Sequence, residues 1–440
     1  MKAIILGKGE KQKEFKICGL SLIERALYLL RAAEIREVII FKEFSLEKKK
    51  KIEKRLGVKL EVVRDNKALS SLIERMKKEE VFLILNENFI FDINLLRILL
   101  KHKGTILCSS DFKKVSSVSL PRISFKDGRV EGIGENLINY QGVYTGIALC
   151  EKRILLSLLK EEQALNLSWP ISLNEILKKE RVAYLNLSTL KYYDSEVRRE
   201  VRPFWQYLRS EEDLKTAKKH LIGGIQKKTL DVFAWYIHRP VENKITWWLC
   251  ELPLTPNQLT LITFILALFV TFLFFKGYLL AASLLTLVVN ILDGLDGKQA
   301  RAKGMFTKFG NLEHSLDTIY EQSWYIAFSW ALFTSSGKLL PLQLCLVMIL
   351  FDTFSRHCSM QFRMTMGIPL ADYSRFDRSF RKFDGRRNIY TFYIFIGILA
   401  GVPLFSLIAM CLHAVLTGLV YFVRATTHMH KFDKGKVLKE

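Results

Sequence analysis

Six apolar stretches occupy the last two fifths of this sequence, at residues 257–275, 279–292, 312–333, 340–354, 389–404 and 405–423. A helix closes its backbone hydrogen bonds within itself, and about 20 apolar residues carry it across the roughly 30 Å of a bilayer's hydrocarbon. Runs of this length so closely spaced leave little alternative to a helical membrane bundle. Upstream of Thr246 the pattern changes to short apolar strands alternating with charged, helix-forming stretches, as in a soluble α/β protein. The sequence therefore predicts an α/β domain over 1–194, a helical connector over 195–238 and an all-α bundle of six transmembrane helices over 239–440.

Charge sets the expected topology. Lys and Arg crowd the links after the second and fourth stretches and the tail after the sixth, whereas the opposite links offer Lys276 and Lys338. By the positive-inside rule the N-domain, the Asp293 end of span two and the C-terminus face the cytoplasm of a multi-pass cell-membrane protein. Before the first span, RPVENKITWWLCEL sets Trp247 and Trp248 among charges, the composition of a juxtamembrane helix lying along the interface. The net charge of +22 needs a partner. There is no zinc-ligand spacing, RNP-like aromatic motif or helix-turn-helix, so nucleic acid is not expected; anionic membrane lipids are. The seven cysteines form no CxxC pair and read as single buried thiols. The N-terminus, MKAIILGKGEK, reads as a strand followed by charge and not as a cleavable signal. Abundant Lys and Glu with few prolines suit a heat-adapted organism.

The second apolar stretch runs directly into DGLDGKQAR, residues 293–301. A carboxylate near membrane depth costs about 2.5–3.5 kcal/mol on insertion scales, so two of them call for compensation, and a divalent cation supplies it. On a helix Asp293 and Asp296 share a face, with Gly294 and Gly297 leaving the backbone approachable and Arg301 one turn beyond. In the next span Glu313 and Asp317 are four apart, continued on the same face by Glu321. Oxygen-only ligands favour Mg²⁺ or Mn²⁺ over zinc. Helix caps and surface ion pairs would account for one such pair; both pairs together with Gly297 and Arg301 point to a metal site.

Asp293-x-x-Asp296-Gly297-x-x-Ala300-Arg301 followed by Gly310, together with LTPNQLT at 254–260, resembles the CDP-alcohol phosphotransferase family over roughly the last 190 residues. Counted without gaps from Gly310, that family's third and fourth acidic positions fall on His314 and Thr318; one deletion in the loop restores the pair Glu313 and Asp317. The resemblance implies transfer of a substituted phosphate from a CDP-alcohol to an acceptor hydroxyl with release of CMP. It implies two divalent ions on Asp293, Asp296, Glu313 and Asp317, the cytidine nucleotide against Asp293, Gly297, Ala300 and Arg301, and Asp317 as base. For the acceptor, a phosphorylated or lipid alcohol, RFDRSFRKFDGRR at 375–387 offers Arg378, Arg386 and Arg387, which suit a phosphate grip and equally a positive-inside anchor. A homodimer through a span face is expected of such bundles.

The opening strand, Gly loop, helix and strand support a parallel sheet with a nucleotide at the strand ends. FLILNENFIFD and DGRVEGIGENLINYQGVYTGIALC are similar to parts of inositol-1-phosphate cytidylyltransferases, which some heat-adapted organisms fuse ahead of a membrane phosphotransferase joining CDP-inositol to inositol phosphate. The chemistry that family needs is thinned here. Lys11 or Lys13 stands in for its loop basic residue and Lys16 for its second lysine, its metal-binding aspartates fall on Glu87 and Tyr144, and the lysine expected after Ile-Gly is Glu135. A weak or inactive N-domain is the expectation. Phospholipid synthesis from CDP-diacylglycerol or onto a lipid acceptor, and a non-catalytic membrane scaffold, remain as alternatives.

Overall fold

The computed structural model describes residues 1–7, 15–76, 80–111, 120–160, 169–178, 180–194, 197, 199–226, 231–307 and 309–435, without the side chains of 199, 309, 311, 313 and 314. The described residues form two compact units, one built from 1–194, 200–224 and 301–306 and the other from 195–199, 225–300 and 307–440.

The first unit is built on a nine-stranded sheet. Its strands are β1 (Lys2–Leu6), β2 (Glu37–Phe41), β3 (Lys59–Val63), β4 (Val81–Asn86), β5 (Ile106–Ser110), β6 (Arg122–Lys126), β7 (Arg129–Gly134), β8 (Gly142–Glu151) and β9 (Ala183–Asn186). They lie in the order β3-β2-β1-β4-β8-β5-β9-β7-β6. The first four are parallel, as the opening strand–helix–strand pattern predicts. The sheet as a whole is mixed: β8 runs antiparallel to β4 and β5.

Strand alternation divides the core. Ala3 and Ile5 pack on one face of the sheet with α1 (Leu22–Ala32), α2 (Leu46–Leu56) and α4 (Ile93–Leu99). Ile4 and Leu6 pack on the other with α3 (Asn66–Glu74) and α5 (Lys152–Lys160), the three-layer arrangement that buries both faces of parallel strands. Ser21 and Glu24 cap α1 reciprocally, which satisfies two of its orphan amides. Helix α6 (Glu211–Gly224) follows the sheet.

The second unit is helical: α7 (Arg239–Leu249), α8 (Pro256–Phe275), α9 (Leu279–Lys303), α10 (Glu313–Ser336), α11 (Leu340–Met366), α12 (Arg375–Phe380), α13 (Arg387–Leu399) and α14 (Pro403–Asp433). A helix stands at each of the six expected spans. Among the described residues three are long and apolar enough to cross a membrane, α8, α9 and α14, while α13 is apolar but shorter. The LTPNQLT stretch starts α8 for a local reason. Thr255 Oγ1 accepts from the Gln258 amide at 3.3 Å, Gln258 Oε1 accepts from the Thr255 amide at 2.8 Å, and Pro256 supplies a preset first-turn φ. The bundle core joins Val270 and Phe274 of α8, Val289 of α9, Trp324 and Phe328 of α10 and Met410 of α14. Two buried polar links tie it together: Trp324 Nε1 donates to the Ala267 carbonyl at 2.8 Å, and Asn290 Nδ2 donates to Thr391 Oγ1 at 2.8 Å.

Candidate active site

The 25 residues of α9 carry the whole DGLDGKQAR motif on unbroken helix, so Asp293 and Asp296 do share a face. Each is held by a neighbouring helix. Asp293 Oδ1 accepts from the Tyr320 hydroxyl of α10 at 3.0 Å, and Oδ2 accepts from Arg387 of α13. Asp296, 3% exposed, accepts on Oδ2 from Thr260 Oγ1 of α8 at 2.6 Å and on Oδ1 from the Gly297 amide at 2.5 Å. Asp317 of α10 and Asp293 both act electrostatically on Asp296, and Asp317 also acts on Arg387. Asp293 and Asp296 thus share one face of α9, and Asp317 stands on the neighbouring α10. The fourth predicted acidic residue, Glu313, begins α10, and its side chain, like that of His314, lies outside the described residues. Thr318, the other residue of the ungapped count, accepts a long 3.5 Å hydrogen bond from Arg356. Gly297 and Ala300 are half-buried along α9, and Arg301 follows one turn after Gly297.

Arg387 opens α13. Its guanidinium reaches Asp293, the Tyr320 hydroxyl and, at 3.2 Å, Glu321. Glu321 also pairs with Arg356, which pairs with Asp352 at 2.9 Å. An alternating chain Asp293–Arg387–Glu321–Arg356–Asp352 thus joins α9, α13, α10 and α11, and neutralises carboxylates that would be costly at this depth. Arg386, one residue earlier, points to Asp384 at 2.7 Å and the Tyr421 hydroxyl at 3.0 Å. Arg378 donates to the Asp372 carbonyl at 3.0 Å.

Residues inside the motif do a second task that the sequence did not announce. Lys298 Nζ pairs with Glu242 at 2.9 Å and donates to Asn243 Oδ1 at 2.6 Å, both on α7. Gln299 Nε2 donates to the carbonyls of Leu249 at 3.4 Å and Leu254 at 3.1 Å. Helix α7 is fastened to the helix that bears the aspartates. Gly294 permits it, since a Cβ there would lie 2.5 Å from Glu242 Oε1. The signal lies in two long polar side chains, Lys298 and Gln299, on a helix that continues an apolar run: buried there, they need partners.

Among the described residues no three His, Cys, Asp or Glu side chains already form a metal cage. The donor set nevertheless suits hard cations. Asp293, Asp296 and Asp317 offer carboxylate oxygens, and Thr260, Tyr320 and the Gly297 amide orient the first two in the way outer partners orient ligating carboxylates.

In the first unit, Glu87 is paired with Lys42 at 3.0 Å. Tyr144 is fully buried, its hydroxyl donating to Asn86 Oδ1 at 3.4 Å and accepting from Trp169 Nε1 at 3.2 Å. Lys16 opens a two-residue strand and Glu135 follows β7; Lys11 and Lys13 lie outside the described residues.

Residues 253–419 match the CDP-alcohol phosphatidyltransferase family. A curated relative from Aquifex aeolicus, named bifunctional IPC transferase and DIPP synthase, is 30% identical over 210 residues, 48% of this chain and 44% of the relative. A relative of the same name from Archaeoglobus fulgidus is 25% identical over 329 residues, 72% of this chain and 63% of the relative. The chain thus spans less than two thirds of the length of either. Among solved structures, the inositol-1-phosphate CTP transferase from T. maritima covers 51% of this chain and 95% of its own, at 15% identity and a TM-score of 0.41.

Proposed function

We propose, for a chain whose residues 253–419 form a CDP-alcohol phosphatidyltransferase domain, that it moves the substituted phosphate of CDP-inositol onto a hydroxyl of inositol phosphate, releasing CMP. The observation that carries this reading is the placement of Asp293 and Asp296 on one face of α9, each oriented by a hydroxyl from a neighbouring helix. Two divalent ions, Mg²⁺ or Mn²⁺, held by Asp293, Asp296, Glu313 and Asp317 would neutralise the pyrophosphate and the developing charge.

The residues perform the remaining work by placement. Gly297, Ala300 and Arg301 face the cytidine nucleotide along α9, where the small side chains allow close approach. The acceptor oxygen attacks the phosphorus that carries the inositol, its proton passes to Asp317, and the bond from that phosphorus to the CMP oxygen breaks. Arg387, offset by Asp293 and Glu321, sits where it can follow the charge of the transferred phosphate. Arg386 and Arg378 receive the acceptor. The bundle works as six spans with the first domain and the C-terminal tail on the cytoplasmic side, and pairs through a span face.

The N-terminal domain is cytidylyltransferase-like with weak or no activity of its own. Support comes from the alignment with the Archaeoglobus relative, which reaches across 72% of this chain, and from the two positions expected to be acidic. One is Glu87, tied to Lys42, and the other is Tyr144, enclosed by Asn86 and Trp169. CTP and inositol phosphate should give no CDP-inositol at an enzymatic rate.

The test is ³¹P NMR of the detergent-purified protein with Mg²⁺, CDP-inositol and inositol 1-phosphate. CMP together with a water-soluble phosphodiester supports the reading; a product that partitions into organic solvent makes the acceptor a lipid. Absence of CMP across a panel of CDP-alcohols leaves a scaffold.

A further inference from the structure

The link between α12 and α13 carries a charge more enclosed than any at the metal end. The Asp384 side chain is 0% exposed. Its Oδ1 accepts from Arg381 Nη1 at 3.0 Å, and its Oδ2 accepts from Arg386 Nε at 2.7 Å and from the Tyr421 hydroxyl of α14 at 2.5 Å. Tyr421 in turn accepts from Arg386 Nη2 at 3.0 Å. Burial opposes the charge on Asp384, but Arg381, Arg386 and Tyr421 outweigh it and hold the carboxyl below its ordinary range. The backbone is fixed as well: the Gly385 amide donates to Thr417 Oγ1 at 2.8 Å, and a Cβ at Gly385 would collide with the Tyr390 hydroxyl.

Two guanidiniums on one carboxylate leave a net positive charge. Arg381 is buried, so the excess is presented by Arg386, whose side chain is 37% exposed. Among the described residues its Nε and Nη2 are engaged and no protein acceptor bonds Nη1. A guanidinium held in this way has lost its rotational freedom before any ligand arrives, which removes much of the entropic cost of gripping an anion.

We propose that Asp384, with Tyr421, is the positioning residue of the acceptor site, fixing the plane of Arg386 so that its free edge receives a phosphate monoester and selects a phosphorylated acceptor over a neutral alcohol. This rests on the reading of Arg386 as acceptor-binding. Arg387, on the next residue, faces the aspartates. The Asp384-Gly385-Arg386-Arg387 stretch would therefore tie the acceptor's phosphate to the metal end through a single peptide unit. The acceptor's reacting hydroxyl is placed relative to Asp317 by the grip on its far end.

The experiment uses the full-length protein in detergent with Mg²⁺ and CDP-inositol, and measures kcat and KM for inositol 1-phosphate and for inositol. Asp384→Asn should raise KM for inositol 1-phosphate by about tenfold or more, with a smaller fall in kcat and KM for CDP-inositol within about twofold. The Ki of inorganic phosphate as a competitor should rise in parallel, and Asp384→Glu, which keeps the charge, should recover part of the loss. Tyr421→Phe should show the same split more weakly. An Asp384→Asn protein that loses CDP-inositol affinity to the same degree, or shows unchanged KM and Ki, overturns the positioning role. Wild-type protein that uses inositol as well as inositol 1-phosphate sinks the acceptor reading itself, independently of what the variants do. Turnover of lysophosphatidic acid in liposomes, which keeps a free hydroxyl beside its phosphate monoester, sensitive to Asp384→Asn, would support the same role with the monoester carried by a lipid.

Discussion

Gly294→Ala is the smallest change that tests whether α7 is locked to the helix that bears Asp293 and Asp296. A Cβ at 294 would lie 2.5 Å from Oε1 and 2.7 Å from Cδ of Glu242, so the carboxylate must move. It is not free to do so cheaply, because it compensates Lys298, whose side chain is 3% exposed. Disturbing one side of a buried ion pair costs about 3–5 kcal/mol, while alanine returns about 1 kcal/mol over glycine within a helix. The net expectation is a loss of about 2–4 kcal/mol, read as an apparent Tm lower by roughly 5–10 °C. A local readout is available in Cys250, fully buried just after α7. Its alkylation, followed by peptide mass spectrometry, should accelerate in the variant while that of Cys108 and Cys150 does not. In a Glu242→Ala background the same Gly294→Ala change should become neutral or stabilising by about 1 kcal/mol. If Gly294→Ala is as stable as wild type, or its cost is unchanged without Glu242, the contact does not fasten α7 and the reasoning fails.

Asp317→Asn should fold and still bind CDP-inositol, but lose turnover by at least about a hundredfold; full turnover would remove it as the base. Arg387→Lys keeps one charge but cannot span Asp293, Tyr320 and Glu321 together, so kcat should drop by about tenfold or more while KM for inositol 1-phosphate changes little; an effect confined to acceptor KM would return Arg387 to the acceptor grip. In the first unit, burial raises Asp92 to about 6 despite hydrogen bonds from the Leu95 and Phe204 amides. The unfolded chain therefore loses this proton first, and the native state loses stability as pH rises from about 4 to 6, by up to about 3 kcal/mol. Measured against wild type, Asp92→Asn should gain stability across that window, and a pH-independent difference would refute the assignment.

Periodic features were legible in the sequence because they depend on local geometry. The alternation of Ala3, Ile4, Ile5 and Leu6 between two core layers follows from the strand period, and the shared face of Asp293 and Asp296 from the helix period. The capping residues Thr255 and Gln258, which start α8 at Pro256, are likewise local. What escaped is what joins distant segments. Lys298 and Glu242 are 56 positions apart, and their pairing turns motif residues into a structural clamp that spacing cannot reveal. The antiparallel course of β8 is likewise set by its non-local pairing with β4 and β5, which no local strand pattern reveals.

Arg386 and Arg387, adjacent in sequence, meet different partners. Consecutive residues at a helix start diverge by about 100° around its axis, and the backbone of Arg386 is still extended where Arg387 begins α13. Their side chains therefore serve two environments: Asp384 and Tyr421 for Arg386, Asp293 and Glu321 for Arg387. Sequence spacing shows two like charges in a loop. Only the buried carboxylates, each placed by a different helix or turn, distinguish a group that can receive a ligand at its free edge from one enclosed among aspartates. The same carboxylates make the distinction testable, because removing either should disturb its own arginine first.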